Sequence, residues 1–156
     1  MSESETKTVE KTQKWGWGIL LVVSALLALN GVALYFISAS PSTFEQDTGV
    51  SMAEVQQAFP TVADYVVREG QITSMLLAAL GTLALVVALG GYRNGSRWAW
   101  NAMWVLAGAL AAFSAGFALA AGRLDIGGFY LVLAAVTLVG QLLARKQPVS
   151  PASATG

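Results

Sequence analysis

Four long apolar stretches without a single charged residue constrain this 156-residue chain more than any other feature. They cover residues 17–37, 72–89, 98–119 and 126–143, and all nine basic and nine acidic side chains lie outside them. About 20 apolar residues cross the roughly 30 Å of hydrocarbon in a bilayer. Helices of a soluble bundle carry a polar face, whereas these stretches are apolar all round. The pattern predicts an all-α, polytopic membrane protein with four transmembrane helices.

The residue types that the chain lacks exclude several kinds of chemistry. The sequence contains no cysteine and no histidine, and its formal net charge is zero. Ser-His-Asp and Cys-His catalysis, Cys/His zinc sites and disulfide scaffolds all need the missing side chains. A nucleic-acid binder carries a clustered positive excess, which is absent here. We therefore expect no catalytic residue, no metal site, no cofactor and no nucleic-acid partner, and we expect that the protein is not an enzyme.

The basic residues predict the orientation of the helices, because cytoplasmic loops carry an excess of Lys and Arg. Two basic residues, Arg68 and Arg123, fall in the connections on one side of the predicted membrane. Seven fall on the other side: Lys7, Lys11, Lys14, Arg93, Arg97, Arg145 and Lys146. The distribution predicts a multi-pass protein of a prokaryotic inner membrane with both termini in the cytoplasm. Its predicted membrane domain is residues 15–146, between disordered tails 1–14 and 147–156, which lack apolar content.

Aromatic and basic residues cluster towards the predicted inner face. Trp rings prefer the lipid headgroup layer, and basic side chains attract anionic headgroups. We therefore interpret a set of six residues as contacts with membrane lipids that anchor the helices: Trp15, Trp17, Arg93, Arg97, Trp98 and Trp100. An alternative for the first apolar stretch is a signal peptide cleaved after residues 38–40. The stretch is longer than a signal core of 7–15 residues, which favours a membrane helix.

The connections between the four stretches differ in length. The second and third are short, so helices two, three and four are expected to be antiparallel neighbours in an up-down bundle. The first, here called the outer loop (residues 39–70), is long enough to carry structure or function. Ser51 and Glu54 fit a helix-capping box. A stripe at helical spacing follows, split by Pro60 and formed by Met52, Val55, Phe59, Val62 and Val66.

This stripe predicts an amphipathic helical outer loop in two pieces. We expect it to pack on the outer face of the bundle with Phe59 as the anchor; the alternative is a lid over a ligand or partner. Asn30 is polar within the first membrane helix, where its side chain needs a hydrogen-bond partner. Its simpler role is contact between helices. The functional alternative is a pocket beneath the loop, with ligand or partner candidates Asn30, Tyr35, Phe59, Pro60 and Tyr65. Asn101 and Gln141 lie near the inner interface, where water is expected to satisfy them.

Small residues recur every fourth position in the third apolar stretch, at Gly108, Ala112, Gly116 and Ala120. Such a row lets two helix backbones approach closely. We expect it to mediate helix packing within the chain, and the alternative is homodimerisation through the same surface.

The segment 92–100 (YRNGSRWAW) and the Phe59-Pro60 step followed by Tyr65 carry a resemblance to a known group. The chain resembles a group of uncharacterised prokaryotic four-helix membrane proteins, and its layout is similar to that of DoxX-like membrane proteins. The resemblance implies a four-helix fold and no established activity. From the residues themselves we expect a structural or accessory membrane component that binds a protein partner or lipid. The alternative is a small transporter or hydrophobic-ligand binder with a pocket under the outer loop.

Overall fold

The computed structural model describes residues 3–38, 40–92, 96–120 and 122–144, and every long element in these ranges is a helix. The six α-helices are α1 (Glu3–Ile37), α2 (Pro41–Thr48), α3 (Met52–Ala58), α4 (Pro60–Val86), α5 (Arg97–Ala115) and α6 (Leu124–Ala144). Two π-helical segments, Val87–Tyr92 and Gly116–Ala120, continue α4 and α5. No strand occurs in the described ranges, so the all-helical prediction is confirmed.

Within the described residues, four helical spans are long and apolar enough to cross a membrane. They are Lys14–Ile37 (24 residues), Pro60–Tyr92 (33 residues), Arg97–Leu119 (23 residues) and Leu124–Ala144 (21 residues). Each apolar stretch found in the sequence lies inside one of these spans. The length and composition of the helices are those of a multi-pass membrane protein.

The first helix is longer than the sequence predicts. Residues 1–14 were expected to be disordered, but α1 begins at Glu3 and continues without a break into the apolar span. Once a helix is nucleated, each added residue gains one hydrogen bond, and Glu, Lys and Gln are good helix formers. The apolar span therefore extends into a polar segment that would not form a helix by itself. Residues 145–156, including the predicted tail 147–156, lie outside the described residues.

The outer loop is almost entirely helical. The helix α2 (Pro41–Thr48) is not predicted from the sequence. It is capped by Gly49, whose φ of 73° is the left-handed conformation that glycine tolerates. The helix α3 follows Ser51, whose Oγ accepts a 3.3 Å hydrogen bond from the Ala53 amide. Pro60 then begins α4, in the first-turn position that suits proline.

The chain forms two compact units. The first, here called the hairpin unit, is residues 25–83. In it the end of α1 runs antiparallel to α4, because Ala28 lies against Gly81, Gly31 against Ala78, and Ser38 against Gly70. A Cβ at any of these three glycines would collide with the opposite helix. Glycine therefore permits the close approach along the whole contact.

The second unit, here called the tryptophan unit, comprises residues 1–24 and 84–156. The helices α5 and α6 pack along each other, and Gly127 lies against the backbone of Ser114 and the side chain of Ala118. At the opposite end of α6, Gly140 lies against Ile19 and Leu20 of α1. The most deeply buried large apolar side chains of this unit are Leu20, Met103 and Leu110.

Candidate functional site

The outer-loop candidates are exposed rather than docked. Phe59 is 64% exposed, and Pro60 and Tyr65 are exposed as well. Of the apolar stripe, Met52 alone is buried. Phe59 is therefore not docked within the hairpin unit, and its role as an anchor on the outer face stays a prediction. The reason is geometric, because Gly70 lies level with Ser38 at the end of α1, and the preceding residues of α4 extend beyond that end.

The same antiparallel register of α1 on α4 separates the candidate ligand-binding residues from one another. Asn30 lies level with Ala79, one residue along from the contact of Gly31 with Ala78. From Ala79 back to Pro60 is 19 residues of continuous helix, roughly 28 Å at 1.5 Å per residue. Asn30 and Tyr35 are half-buried. The hairpin unit therefore does not bring Asn30 and Phe59 into one pocket, and a site beneath the loop stays a prediction.

The row of small residues on α5 makes no packing contact among the described residues of the tryptophan unit. Gly108, Ala112 and Gly116 are exposed, and a Cβ at either glycine would meet nothing within 4 Å. The side chain of Ala120 lies outside what the structure describes. The buried face of α5 is instead Ala99, Met103, Leu106, Ala107, Leu110 and Ser114. The predicted role of the row in packing within the chain has no contact of this unit behind it and stays a prediction.

An open apolar groove lies over this exposed row. Its volume is about 560 Å³, and it is lined by Ala109, Ala112, Phe113, Gly116 and Phe117. Three of these five residues are alanine or glycine, so the helix backbone lies near the surface of the groove.

The two phenylalanines of the groove are held by one buried tyrosine. The ring centroids of Phe113 and Phe117 lie 5.7 Å and 5.8 Å from that of Tyr130, and the Phe117 ring is stacked at 13°. Tyr130 is buried on α6. At the same place the amide of Gly116 contacts both the Ala112 and Phe113 carbonyl oxygens, where α5 changes to the π-helical segment. Single π-helical turns are frequent at functional sites. The groove therefore has a fixed aromatic wall beside a locally irregular helix.

The polar residues inside the membrane spans are satisfied in different ways. The hydroxyls of Ser24, Thr82 and Thr137 each donate to the carbonyl oxygen four residues earlier, at 2.7 Å, 2.8 Å and 2.7 Å. Gln141 is different: it is fully buried, and neither atom of its amide has a hydrogen-bond partner in the described protein. Gln141 is thus buried although it lies near the predicted inner interface, whereas Asn101 is exposed there as expected.

The five tryptophans divide into two groups. Trp15, Trp98 and Trp104 are exposed, which suits contacts with lipid headgroups. Trp17 and Trp100 instead direct their indole N–H groups into the protein. That of Trp17 donates to the Ala88 carbonyl oxygen, and that of Trp100 is buried without a partner. Arg97 is exposed, and Arg93 lies outside the described residues.

Charged side chains form no metal-binding cluster in the part of the chain that the structure describes. A described ion pair joins Arg123 and Asp125, with Nη2 to Oδ2 at 3.0 Å and Nε to Oδ1 at 3.1 Å. Both residues lie in or beside the connection between α5 and α6, where an exposed ion pair contributes little to stability.

Comparison of the chain with protein-family models, with curated proteins and with solved structures gives no match. The resemblance carried by residues 92–100 therefore assigns no family. The spans define the class of the molecule as an all-helical protein with the helix lengths of a multi-pass membrane protein.

Proposed function

We propose that the protein is a non-enzymatic accessory component of a prokaryotic inner membrane that binds a transmembrane helix of a protein partner. The observation that supports this proposal is the exposed row Gly108, Ala112 and Gly116 beside the apolar groove. Apolar side chains do not drive helices together in lipid, where close packing and hydrogen bonds are decisive. A row of small residues that the chain's own helices leave exposed offers a close contact to a helix from outside.

The chemistry of the groove favours a helix over a polar substrate. Its lining consists of alanine, glycine and phenylalanine side chains, with none that ionises. Sites for small polar ligands place several polar groups where they orient the ligand. Here the groove instead offers an apolar surface of defined shape, with the aromatic rings that pack on Tyr130 as one wall. A helix can pack closely against such a surface.

The proposed orientation places both termini in the cytoplasm. The seven-to-two division of basic residues supports it, as does the exposure of Trp15 and Trp98 near the starts of the α1 and α5 spans. The antiparallel contacts within each unit are compatible with an up-down order of the four helices. Membrane lipids are expected to contact the exposed tryptophans.

Site-specific photocrosslinking in native membranes tests the proposal. A photoreactive residue at Ala112 should give a discrete protein adduct, and Gly116→Leu should abolish that adduct by filling the surface. A matched probe at Val132, which is exposed on α6, should label lipid only. An adduct of twice the chain's mass would identify the partner as a second copy. Lipid labelling alone at both positions would contradict the proposal.

A second candidate function is binding of a hydrophobic ligand, including its transport. The groove volume of about 560 Å³ lies within the usual range of ligand pockets. In that case a specific apolar molecule should remain bound through detergent extraction and be identified by mass spectrometry. Ala112→Phe should displace it, and Val132→Phe should not.

A further inference from the structure

The side chain of Gln141 differs from the buried hydroxyls of Ser24 and Thr137, which bond within their own helices. Its exposed fraction is 0%, and both Oε1 and Nε2 lack a partner in the described protein. An amide buried away from water without a hydrogen-bond partner is strongly unfavourable. The glutamine therefore either destabilises the protein considerably or contacts a molecule that is not part of the chain.

Two further buried polar atoms lack partners, and both belong to the tryptophan unit. They are Nε1 of Trp100 and the hydroxyl of Tyr92. Thus three of the side chains in this unit direct unpaired polar atoms into the interior.

The packing of α5 on α6 places Trp100 near the level of Gln141. Gly127 lies against Ser114 and Ala118 near the opposite ends of the two helices. Gln141 is 141 − 127 = 14 residues further along α6. Both α-helices rise by the same amount per residue. Gln141 therefore lies level with the α5 residues about 14 positions before Ser114 and Ala118. These are residues 100–104.

Tyr92 is brought to the same end of the unit by the first π-helical segment. A Cβ at Gly91 would lie 2.6 Å from the Cβ of Ala99 and 2.7 Å from the ring of Trp98. Tyr92 therefore directly follows Gly91, which contacts the first turn of α5. Trp100 belongs to that same turn. The helix α1 closes this end as well, because Gly16 lies against Gly140 and Ala144.

We propose that Gln141, Trp100 and Tyr92 form a binding site for a small neutral hydrogen-bonding molecule at this end of the tryptophan unit. The amide of Gln141 offers an acceptor and two donor hydrogens, the indole of Trp100 a donor, and the hydroxyl of Tyr92 both. All three groups are uncharged, so the site cannot neutralise a charged ligand. Its ligand is therefore a neutral molecule. Ordered water is the smallest molecule of this chemistry, and a small alcohol or amide is the organic counterpart.

The binding-site proposal and an unpaired amide predict opposite effects of one substitution. Gln141→Met keeps the length of the side chain and removes its polar atoms. If a ligand bonds the amide, the variant loses those bonds and melts at a lower temperature in detergent. If the amide is unpaired, the substitution relieves the cost of burial, so that the melting temperature rises or stays the same. An unchanged or raised melting temperature would overturn the proposal.

A double-mutant cycle tests whether the groups share one ligand. Tyr92→Phe removes only the unpaired hydroxyl, and we expect its effect to be non-additive with that of Gln141→Met. The matched control is Thr137→Val, because the buried Thr137 hydroxyl bonds within its own helix to Leu133. Its effect should add to that of Tyr92→Phe. Additivity in both cycles would show that Gln141 and Tyr92 share no ligand.

A measurement on the wild-type protein covers the case in which the variants do not fold. The side-chain amides of glutamine are labelled with ¹⁵N, and the chain is reconstituted in nanodiscs. The Gln141 signal should show a cross-peak to water, or to another resonance that belongs to neither protein nor lipid. The first identifies water and the second an organic ligand, which native mass spectrometry should then detect as added mass. A Gln141 amide without either cross-peak would overturn the proposal.

Discussion

The indole N–H of Trp17 donates a hydrogen bond of 3.0 Å to the carbonyl oxygen of Ala88, which lies 71 positions further along the chain. Ala88 belongs to the π-helical segment Val87–Tyr92, where the regular hydrogen-bonding pattern of α4 ends. The bond therefore joins the start of the first membrane span to the irregular end of the second. It gives Trp17 a structural role that differs from that of the exposed Trp15.

Trp17→Phe should lower the stability of the protein in detergent. The substitution removes the indole donor and leaves the buried Ala88 carbonyl without this partner, at a cost of about 1 kcal/mol. Trp15→Phe is the control, because Trp15 is 64% exposed and should change the free energy of unfolding little. Thermal unfolding of the two variants provides the measurement, and equal shifts would contradict the distinction between them.

Gly81→Ala should destabilise the hairpin unit although alanine is the better helix former. A Cβ at Gly81 would collide with the backbone of Leu27 and Ala28. The opposite result is expected for Gly18→Ala, because a Cβ at Gly18 meets nothing within 4 Å and the intrinsic gain is up to about 1 kcal/mol. Denaturation of both variants in one detergent would show shifts of opposite sign, and a stabilising Gly81→Ala would rule out the close approach.

Phe59→Asp should leave the stability of the chain in detergent within about 0.5 kcal/mol of the wild type, because the side chain is mostly exposed. Met52→Asp should lower it, because that residue is buried and a charge there loses its hydration. Hydrogen exchange across residues 41–66 would report both effects. Faster exchange in Phe59→Asp alone would show that Phe59 docks after all.

The proposed orientation predicts the activity of two reporter fusions. A cytoplasm-active reporter after Arg145 should be active, and a periplasm-active reporter inserted within residues 45–50 should be active as well. The seven-to-two division of basic residues is the physical reason. Moving the periplasm-active reporter to Arg145 provides the control. Activity at that position would reverse the assignment.

The sequence predicts the helices well and their contacts poorly, and α5 shows why. Its length and lack of charge are sufficient to identify a membrane span. A helix that is apolar all round carries no periodic signal that marks its buried face. The sequence of α5 therefore does not show which way the row from Gly108 to Gly116 faces. Turn chemistry is more informative, because Ser51 and Pro60 mark helix starts that the structure has.

The burial of Gln141 cannot be predicted from the sequence either. Its position near the end of a predicted span indicates proximity to water, whereas its exposure depends on α1 and α5, which pack around α6. No local pattern encodes the contact of Gly140 with Leu20 beside it. Such a residue is recognised only after the neighbouring helices are placed.

The 33-residue span from Pro60 to Tyr92 has a consequence for the membrane that surrounds it. Its α-helical part, 27 residues, is about 40 Å long, which exceeds the roughly 30 Å of a hydrocarbon core. The excess carries the exposed charges of Asp64, Arg68 and Glu69. Charged side chains are unfavourable in hydrocarbon, so a bilayer thick enough to reach these groups is disfavoured. The charged start of α4 thus limits how far hydrocarbon can extend along this helix, to the uncharged residues that follow Glu69.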